Sequence, residues 1–257
     1  MSVALKNLTS YTPAPIALIE PPLDQTISVV IPAKNEARNL PWVLERLPGY
    51  VDEVILVDGL STDGTVEVAK HVRPDTVVVY ERRLGKGHAV KAGLRAASGD
   101  VIVMLDADGS MDPGEIGRYV DALSWGFDLA KGSRFLPGGG TSDMTMLRKF
   151  GNWGLTQLSN GLYGTTFTDL CYGYVAFRRS AVERIPISAE GFEIEMQLLA
   201  RSIRNGLRIV EVPSYESDRM FGQSSLNTFR DGWRVLKTLL RERIRTAATR
   251  KVSVHRV

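Results

Sequence analysis

The apolar residues of this chain fall in short, nearly unbroken runs, each ending in a cluster of Gly, Pro, Asn or Asp. Ile27 to Ile31, Val54 to Val57, Thr76 to Tyr80 and the VIVML that opens at Val101 are too short for amphipathic helices. They are also too continuous for strands with one wet face, so they predict buried parallel strands. The first is expected to stop at Pro32. Helix signals lie between them. Asn39-Leu40-Pro41 opens one helix with Pro in its first turn, a second starts near Thr65, and a third runs through KGHAVKAGLRAASG to about Gly99. Strands alternating with helices at this spacing predict right-handed βα units. The expected fold is α/β, a mostly parallel sheet with helices on both faces.

The second half is less regular. A helix to about Trp125, a short strand in FDLAKGSRF and a Gly-rich stretch LPGGGTSDMT lead to a helix from Arg148 to Tyr163. A strand at Tyr174 to Phe177, a helix from about Glu193 to Asn205 and a strand from Arg208 to Pro213 follow. In the last helix Phe229, Trp233, Leu236, Leu240 and Ile244 recur at three- and four-residue steps. The organisation is then a loose Pro-rich extension over 1–25, one domain over 26–226, a basic amphipathic helix over 227–247 and a flexible tail over 248–257.

A chain of 257 residues suits that single domain. One cysteine, Cys171, excludes an internal disulfide framework and fits a reducing compartment. No apolar run is long enough to span a bilayer, and the first residues lack a basic stretch followed by an apolar core. The expectation is a soluble cytoplasmic protein. Charge is uneven: from Thr228 to Val257 nine Lys and Arg stand against only Asp231 and Glu242, while the net charge of the chain is +3. The body is therefore net acidic, which disfavours nucleic acid as a partner.

Several strands end in polar turns that carry acids: Asn35-Glu36, Asp58, and Asp106-Ala107-Asp108. In a parallel sheet these converge on one edge, where open α/β folds place ligands. Each alone reads equally as a turn or cap residue, as Asp63 in STDGT does. Two acids one residue apart after a buried strand are costly without a cation, and Mg²⁺ or Mn²⁺ shared with a diphosphate is the natural partner. Lys86, between two glycines before a helix, suits a diphosphate oxygen. The loop is neither a Walker loop nor a G-x-G-x-x-G turn.

Taken in order, VVIPAKNE, ILVDGLSTDGT, LGKGHAVKAGL, VIVMLDADGSMDP, KGSRF, TDLCYGYVAFRR, GFEIEMQLLARSIRNGLRIVEVP and DRMFGQSS resemble the inverting family-two glycosyltransferases. Within that family the chain looks most like the dolichyl- and polyprenyl-phosphate hexose synthases for mannose or glucose. The resemblance covers about Thr26 to Leu226. It implies the GT-A fold, a nucleotide-diphosphate sugar donor, a divalent metal and a polyprenyl phosphate acceptor. Position by position, it assigns Pro32, Lys34, Asn35, Glu36 and Asp58 to the nucleotide and Asp106 and Asp108 to the metal. It assigns Arg134 and Asp169 to the sugar and acceptor side, Glu195 to an active-site acid and Arg219 to a phosphate contact. Three features depart from the pattern. Gly59 and Leu60 replace the usual second Asp and Gly, leaving UDP and GDP both open. Ser224-Ser225 stands where a Lys is usual, and the membrane spans of many relatives are missing.

A phosphate acceptor needs no general base, whereas a hydroxyl acceptor on a sugar, natural product or glycan needs one. Glu195, Asp169 and Glu193 are the candidates, Glu193 serving equally as a first-turn acid. Asp108, Glu195 and Asp169 are thus the expected catalytic residues. His88 and Cys171 read as structural. A sugar-nucleotide pyrophosphorylase would want a Gly-rich loop after the first strand, which VVIPAKNEARN does not supply. A non-catalytic sugar-nucleotide binder would not need both Asp106 and Asp108. The tail helix has three uses for its stripe: the domain itself, a second subunit in an oligomer, or an anionic membrane surface, which Arg230, Arg234, Lys237, Arg241 and Arg245 favour.

Overall fold

Alternation within each buried run assigns its side chains to two faces of one sheet. Val30, Ile55, Val57, Ile102 and Met104 point to one side, and Val29, Ile31, Val54, Leu56, Val101 and Val103 to the other, all essentially without exposure. Both faces must be covered, and helices cover them. The computed structural model describes residues 25–222, 227–244 and 254–256. Nearly all of the expected loose extension and Ser224-Ser225 lie outside them.

The elements in chain order are β1 (Ile27–Ala33), α1 (Leu40–Glu45), β2 (Glu53–Asp58), α2 (Thr65–Val72), β3 (Val77–Tyr80), α3 (Lys86–Ala96) and β4 (Val101–Met104). After a short turn of tighter helix come α4 (Ile116–Ser124), β5 (Leu129–Ser133), β6 (Gly140–Thr141) and α5 (Met146–Tyr163). The chain continues with β7 (Val175–Arg178), α6 (Arg179–Val182), α7 (Ile194–Arg204), β8 (Ile209–Pro213), β9 (Tyr215–Glu216), α8 (Thr228–Ile244) and β10 (Val254–Arg256). The main sheet has the order β10-β8-β5-β7-β4-β1-β2-β3, and β6 pairs with β9 in a second, two-stranded sheet. All main-sheet pairings are parallel except those of β7, which lies antiparallel between β4 and β5. The mostly parallel α/β sheet with helices on both faces is as the sequence predicts.

Two details differ. Pro32 does not end β1, which runs on to Ala33 and keeps pairing with β2. The β4 partner of β1 stops at Val30, so a ladder is needed on one side only, where a missing N–H is tolerated. Val254–Arg256, expected within a flexible tail, forms β10 along β8. On the Val30 face, α3 lies close to the sheet because residue 93 is glycine: a Cβ there would collide with Val30 and Val57.

Helices α5 and α8 pack on one another with their amphipathicity reversed. The buried side chains of α5 are Asn152, Thr156, Ser159 and Tyr163, while Met146, Leu147, Phe150 and Trp153 face outward. On α8 the buried face is Asp231, Val235, Thr238, Leu239 and Glu242. Of the stripe read from the sequence, Phe229, Trp233, Leu240 and Ile244 are exposed. Polar contacts hold α8 instead. Glu242 accepts from Arg201 Nη2 at 2.6 Å and Gln197 Nε2 at 3.0 Å on α7, and Tyr163 Oη donates to the Leu239 carbonyl at 2.9 Å. Burial opposes ionisation of Glu242, but the bonds and charge of Arg201 hold its carboxyl below the usual range.

If these contacts hold the helix, Glu242→Ala destabilises the protein by about 3–5 kcal/mol, because Arg201 is left buried without its acid. Trp233→Ser stays within about 0.5 kcal/mol, being a surface change. Urea denaturation of both variants gives the comparison, and the reverse order of effects means that the apolar stripe packs inward after all.

Candidate active site

Strands β2 and β3 lie to one side of β1 and β4 to the other, so the order reverses between β1 and β4. Beyond the carboxyl ends of such a pair an open sheet leaves a crevice. The chain leaving β1 brings Pro32, Lys34 and Glu36 to it, and the chain leaving β4 brings Asp106 and Asp108. Lys86 from α3, Arg134 after β5, Glu195 from α7 and Arg219 after β9 complete one cavity of about 1090 Å³. That is slightly above the usual range for single-ligand pockets of about 300–1,000 Å³.

Opposite charges organise the cavity. Lys86 Nζ lies 2.7 Å from Asp106 Oδ1 and 2.8 Å from Glu195 Oε1. Burial works against the ammonium, but Asp106 and Glu195 more than offset it and hold Lys86 above its ordinary pKa, so it stays charged. Its loop is fixed by the Gly87 N–H, which donates to the Glu190 carbonyl at 2.9 Å. Gly85, at φ 121°, passes too close to that carbonyl for any side chain. Arg219 donates to Glu36 Oε1 at 2.9 Å and to Asp108 Oδ2 at 3.0 Å. Burial opposes its charge too, and Asp108 and Glu36 raise its pKa regardless. The segment carrying Arg219 is pinned at Phe221, whose carbonyl accepts from Asn39 Nδ2 at 3.2 Å and whose ring lies 4.1 Å below the Arg38 guanidinium.

Asp106 and Asp108 offer hard carboxylate oxygens to the same part of the cavity. Asp108 Oδ1 accepts from Ser110 N and Oγ at 3.0 and 2.7 Å, which fixes the group and leaves Oδ2 toward Arg219. Among the described residues no cluster of three or more His, Cys, Asp or Glu side chains is poised to enclose a metal. Two carboxylates and no closed cage fit a hard cation that keeps most of its coordination for water and substrate phosphates, as Mg²⁺ does.

Several other expected residues, among them Asp58, Asn35, Glu193 and Asp169, do not line the cavity. Asp58 is buried and takes up the Ser61 N–H of its own turn. Asn35, in the left-handed region at φ 57°, accepts from the Thr62 N–H at 2.8 Å and so ties the β1 loop to the β2 loop. Glu193, at the N-cap position of α7, turns its carboxylate back to accept from the Glu190 and Gly191 N–H groups of the preceding loop. Asp169 has no exposure at all. Its carboxylate accepts from Arg134 Nε at 2.7 Å, Arg134 Nη2 at 2.9 Å and Asn152 Nδ2 at 3.0 Å. Desolvation opposes the charge of Asp169, and the guanidinium of Arg134 overcomes it, holding the pKa below the carboxylate range. Asp169 thus has neither the access nor the basicity to take a proton from an acceptor; it orients Arg134, whose Nη1 donates to Glu216 Oε2 at 3.0 Å. The thiol of Cys171 is pushed up to about 12 by burial, in keeping with a packed role. His88 approaches only Glu190, at 4.0 Å.

The sequence reading missed the far wall. Arg148, Gly151, Asn152 and Leu155 of α5 line the cavity, as do Thr228, Asp231, Gly232 and Val235 of α8. Both sets are spaced i, i+3, i+4, i+7. The signal was there, but it is mostly polar or glycine, and apolar periodicity pointed to the opposite faces.

The model of glycosyl transferase family 2 matches residues 28–186. A polyprenol monophosphomannose synthase of Mycolicibacterium smegmatis is 36% identical over 220 residues, covering 80% of this chain and 82% of the relative. An undecaprenyl-phosphate mannosyltransferase of Micrococcus luteus is 34% identical over 213 residues, covering 78% and 87%. Among solved structures, glucosyl-3-phosphoglycerate synthase of Mycobacterium tuberculosis, in complex with Mn²⁺, UDP-glucose and phosphoglyceric acid, superposes with a TM-score of 0.69 at 26% identity. That match covers 86% of this chain and 80% of the other.

The depressed pKa of Asp169 fixes a sign. Its ionised form contributes stability fully present above the unfolded carboxylate value of about 3.9 and lost as pH falls through the lower folded value. Asp169→Asn is expected to cost about 3–5 kcal/mol at pH 7, since Arg134 is left buried and underpaired. The cost shrinks as pH drops below about 4. Urea titrations of both proteins at pH 7 and pH 3.5 measure it, and a cost that does not change with pH contradicts the ion-pair account.

Proposed function

The chain belongs to glycosyl transferase family 2, and we propose that it moves a hexose from a UDP- or GDP-linked donor to a polyprenyl phosphate, with inversion at the anomeric carbon. The observation that carries the acceptor is the far wall of the cavity. The two helices that form it keep polar residues among their buried side chains and leave Phe150, Trp153, Phe229 and Trp233 exposed, so the site opens beside a surface fit for lipid. The names of the two bacterial relatives, both acting on prenyl phosphates, support the same choice, and both make mannose the first sugar to test.

Asp106 and Asp108 would hold Mg²⁺ or Mn²⁺ together with the donor diphosphate. When bound, the cation neutralises charge that builds on the departing nucleotide. The side chains of this chain do the rest. Lys86, kept charged by Asp106 and Glu195, supplies a fixed positive charge beside the diphosphate position. Arg219 binds anionic oxygen from the other side and holds Glu36 and Asp108 in register. The acceptor phosphate oxygen attacks the anomeric carbon as the bond to the nucleotide diphosphate breaks. Because that oxygen is already anionic, no base is required, and Glu195 serves to hold Lys86 rather than to take a proton.

Location follows from the same helices. Exposed apolar patches of this kind are uncommon on soluble domains unless something covers them. Phe150 and Trp153 of α5, Phe229 and Trp233 of α8, and Arg230, Arg234, Lys237 and Arg241 of α8 are all exposed. No helix among the described residues is long and apolar enough to cross a membrane. A peripheral enzyme on the cytoplasmic face, seated on anionic lipid through α5 and α8, accommodates all of these features.

With GDP-mannose or UDP-glucose, Mg²⁺ or Mn²⁺ and undecaprenyl phosphate, the purified protein is expected to transfer radiolabel to the lipid. Asp108→Ala lowers the rate by more than about a hundredfold at unchanged melting temperature. Label passing only to soluble hydroxyl acceptors sinks the prenyl phosphate reading, and a fully active Asp108→Ala sinks the role of the acid pair.

Sedimentation with anionic vesicles tests location. Binding at low salt should weaken at high salt, each basic residue near the surface contributing about 1 kcal/mol. It should fall about tenfold or more in the triple variant Phe150→Ser, Trp153→Ser, Trp233→Ser, whose rings are each worth about 1.5–3 kcal/mol when buried. Full-length protein that stays in the supernatant at low salt rules the surface out.

A further inference from the structure

Helix α5 lines one wall of the cavity, and Arg134 lines the same cavity from the end of β5. Something must fix one against the other. Asn152 is 3% exposed and uses both ends of its amide. Its Nδ2 donates to Asp169 Oδ1 at 3.0 Å, and its Oδ1 accepts from the Cys171 N–H at 3.1 Å. The partners settle the orientation: a carboxylate accepts only, and a backbone N–H donates only. Asp169 in turn holds two nitrogens of the Arg134 guanidinium, and the third reaches Glu216, which also accepts from Thr141 Oγ1 at 2.7 Å. From Glu216 the chain runs three residues to Arg219 and its contacts with Asp108 and Glu36. Charge-assisted bonds thus lead from α5 to Glu216, three residues of chain complete the path to Arg219 and the acid pair, and Asn152 is the link on α5.

We propose that Asn152 is a positioning residue that sets Arg134, and through it the acceptor-side geometry, relative to helix α5. The proposal rests on the reading of this cavity as a hexosyltransferase centre but names no substrate contact for Asn152. A side chain with one donor and one acceptor is required there. An aspartate has the same shape but, when ionised, turns a second negative charge onto Asp169 and repels it. When protonated it regains the pattern of the amide, its O–H donating to Asp169 and its C=O accepting from Cys171. Charged groups around the pair are Arg134 and Lys131 from β5 and its end, Glu211 of β8, Glu195 of α7 and, across the cavity, Asp231 of α8. With Arg134 bound directly to it, Asp169 keeps its charge, so the introduced carboxyl is the one that takes up the proton.

The test is the pH profile of kcat/KM for the acceptor in the wild type, Asn152→Asp and Asn152→Ala, with melting temperatures recorded at each pH. Asn152→Ala is expected to lose about tenfold at every pH. Asn152→Asp is expected to lose more than that at pH 8 and to recover toward wild type as pH falls to 5.5, while Asn152→Ala does not. A flat ratio of Asn152→Asp to wild type overturns the proposal, as does full activity of that variant at pH 8. If Asn152→Asp does not fold at pH 8, Asn152→Ala decides through its constants. A raised acceptor KM with the donor KM within about twofold supports positioning. A fall in kcat with both KM values intact reports only fewer folded molecules and overturns it. Absence of transfer by the wild type would fault the functional reading instead, and is told apart by that control.

Discussion

Gathering carboxylates at one edge of a sheet is electrostatically uphill, and the structure depends on how that cost is met. Glu36, Asp106, Asp108 and Glu195 converge on a partly desolvated cleft. Two cations on opposite walls, Lys86 and Arg219, each bridge a pair of these acids. A third, Arg134, bridges the buried acids below. Removing any acid leaves a buried cation short of a partner, and removing any cation leaves two acids facing each other. The arrangement therefore fixes the loops after β1, β4 and β9 with respect to each other more firmly than their few apolar contacts would.

Much of this was legible from the chain. The four short apolar runs gave the parallel half of the sheet because burial on both faces removes any need for polar alternation. The convergence of Glu36, Asp106 and Asp108 followed from strand ends alone, and Lys86 from its place between glycines at a helix start. Arg134, Glu195 and Arg219 came from the family resemblance, since nothing local distinguishes them from other surface charges.

What escaped was set by contacts distant in sequence. Asp169 resembles a cavity acid by position, but it is taken up by Arg134 and Asn152, partners that no spacing rule foresees. The final helix was read from its apolar stripe, as most helices are, yet its inner face mixes Val235 and Leu239 with Asp231, Thr238 and Glu242, the last taken up by Arg201 and Gln197 on α7. The same reversal hides the inner face of α5. Periodicity reports which side of a helix is apolar, and only tertiary context decides whether that side faces the core.

The short strand β10 has a consequence for any shortened form of the protein. Lying along β8, it satisfies a row of backbone groups that would otherwise form the open margin of a seven-stranded sheet. The part of β8 that β10 covers, Ile209-Val210-Glu211, is buried and carries no lysine or proline of the kind that protects a free margin. A chain cut just after α8 would bare that margin and become adhesive to itself. Clumping of such a fragment would then arise from strand pairing, at the end of the sheet farthest from β3, and would carry no information about the outward faces of α5 and α8.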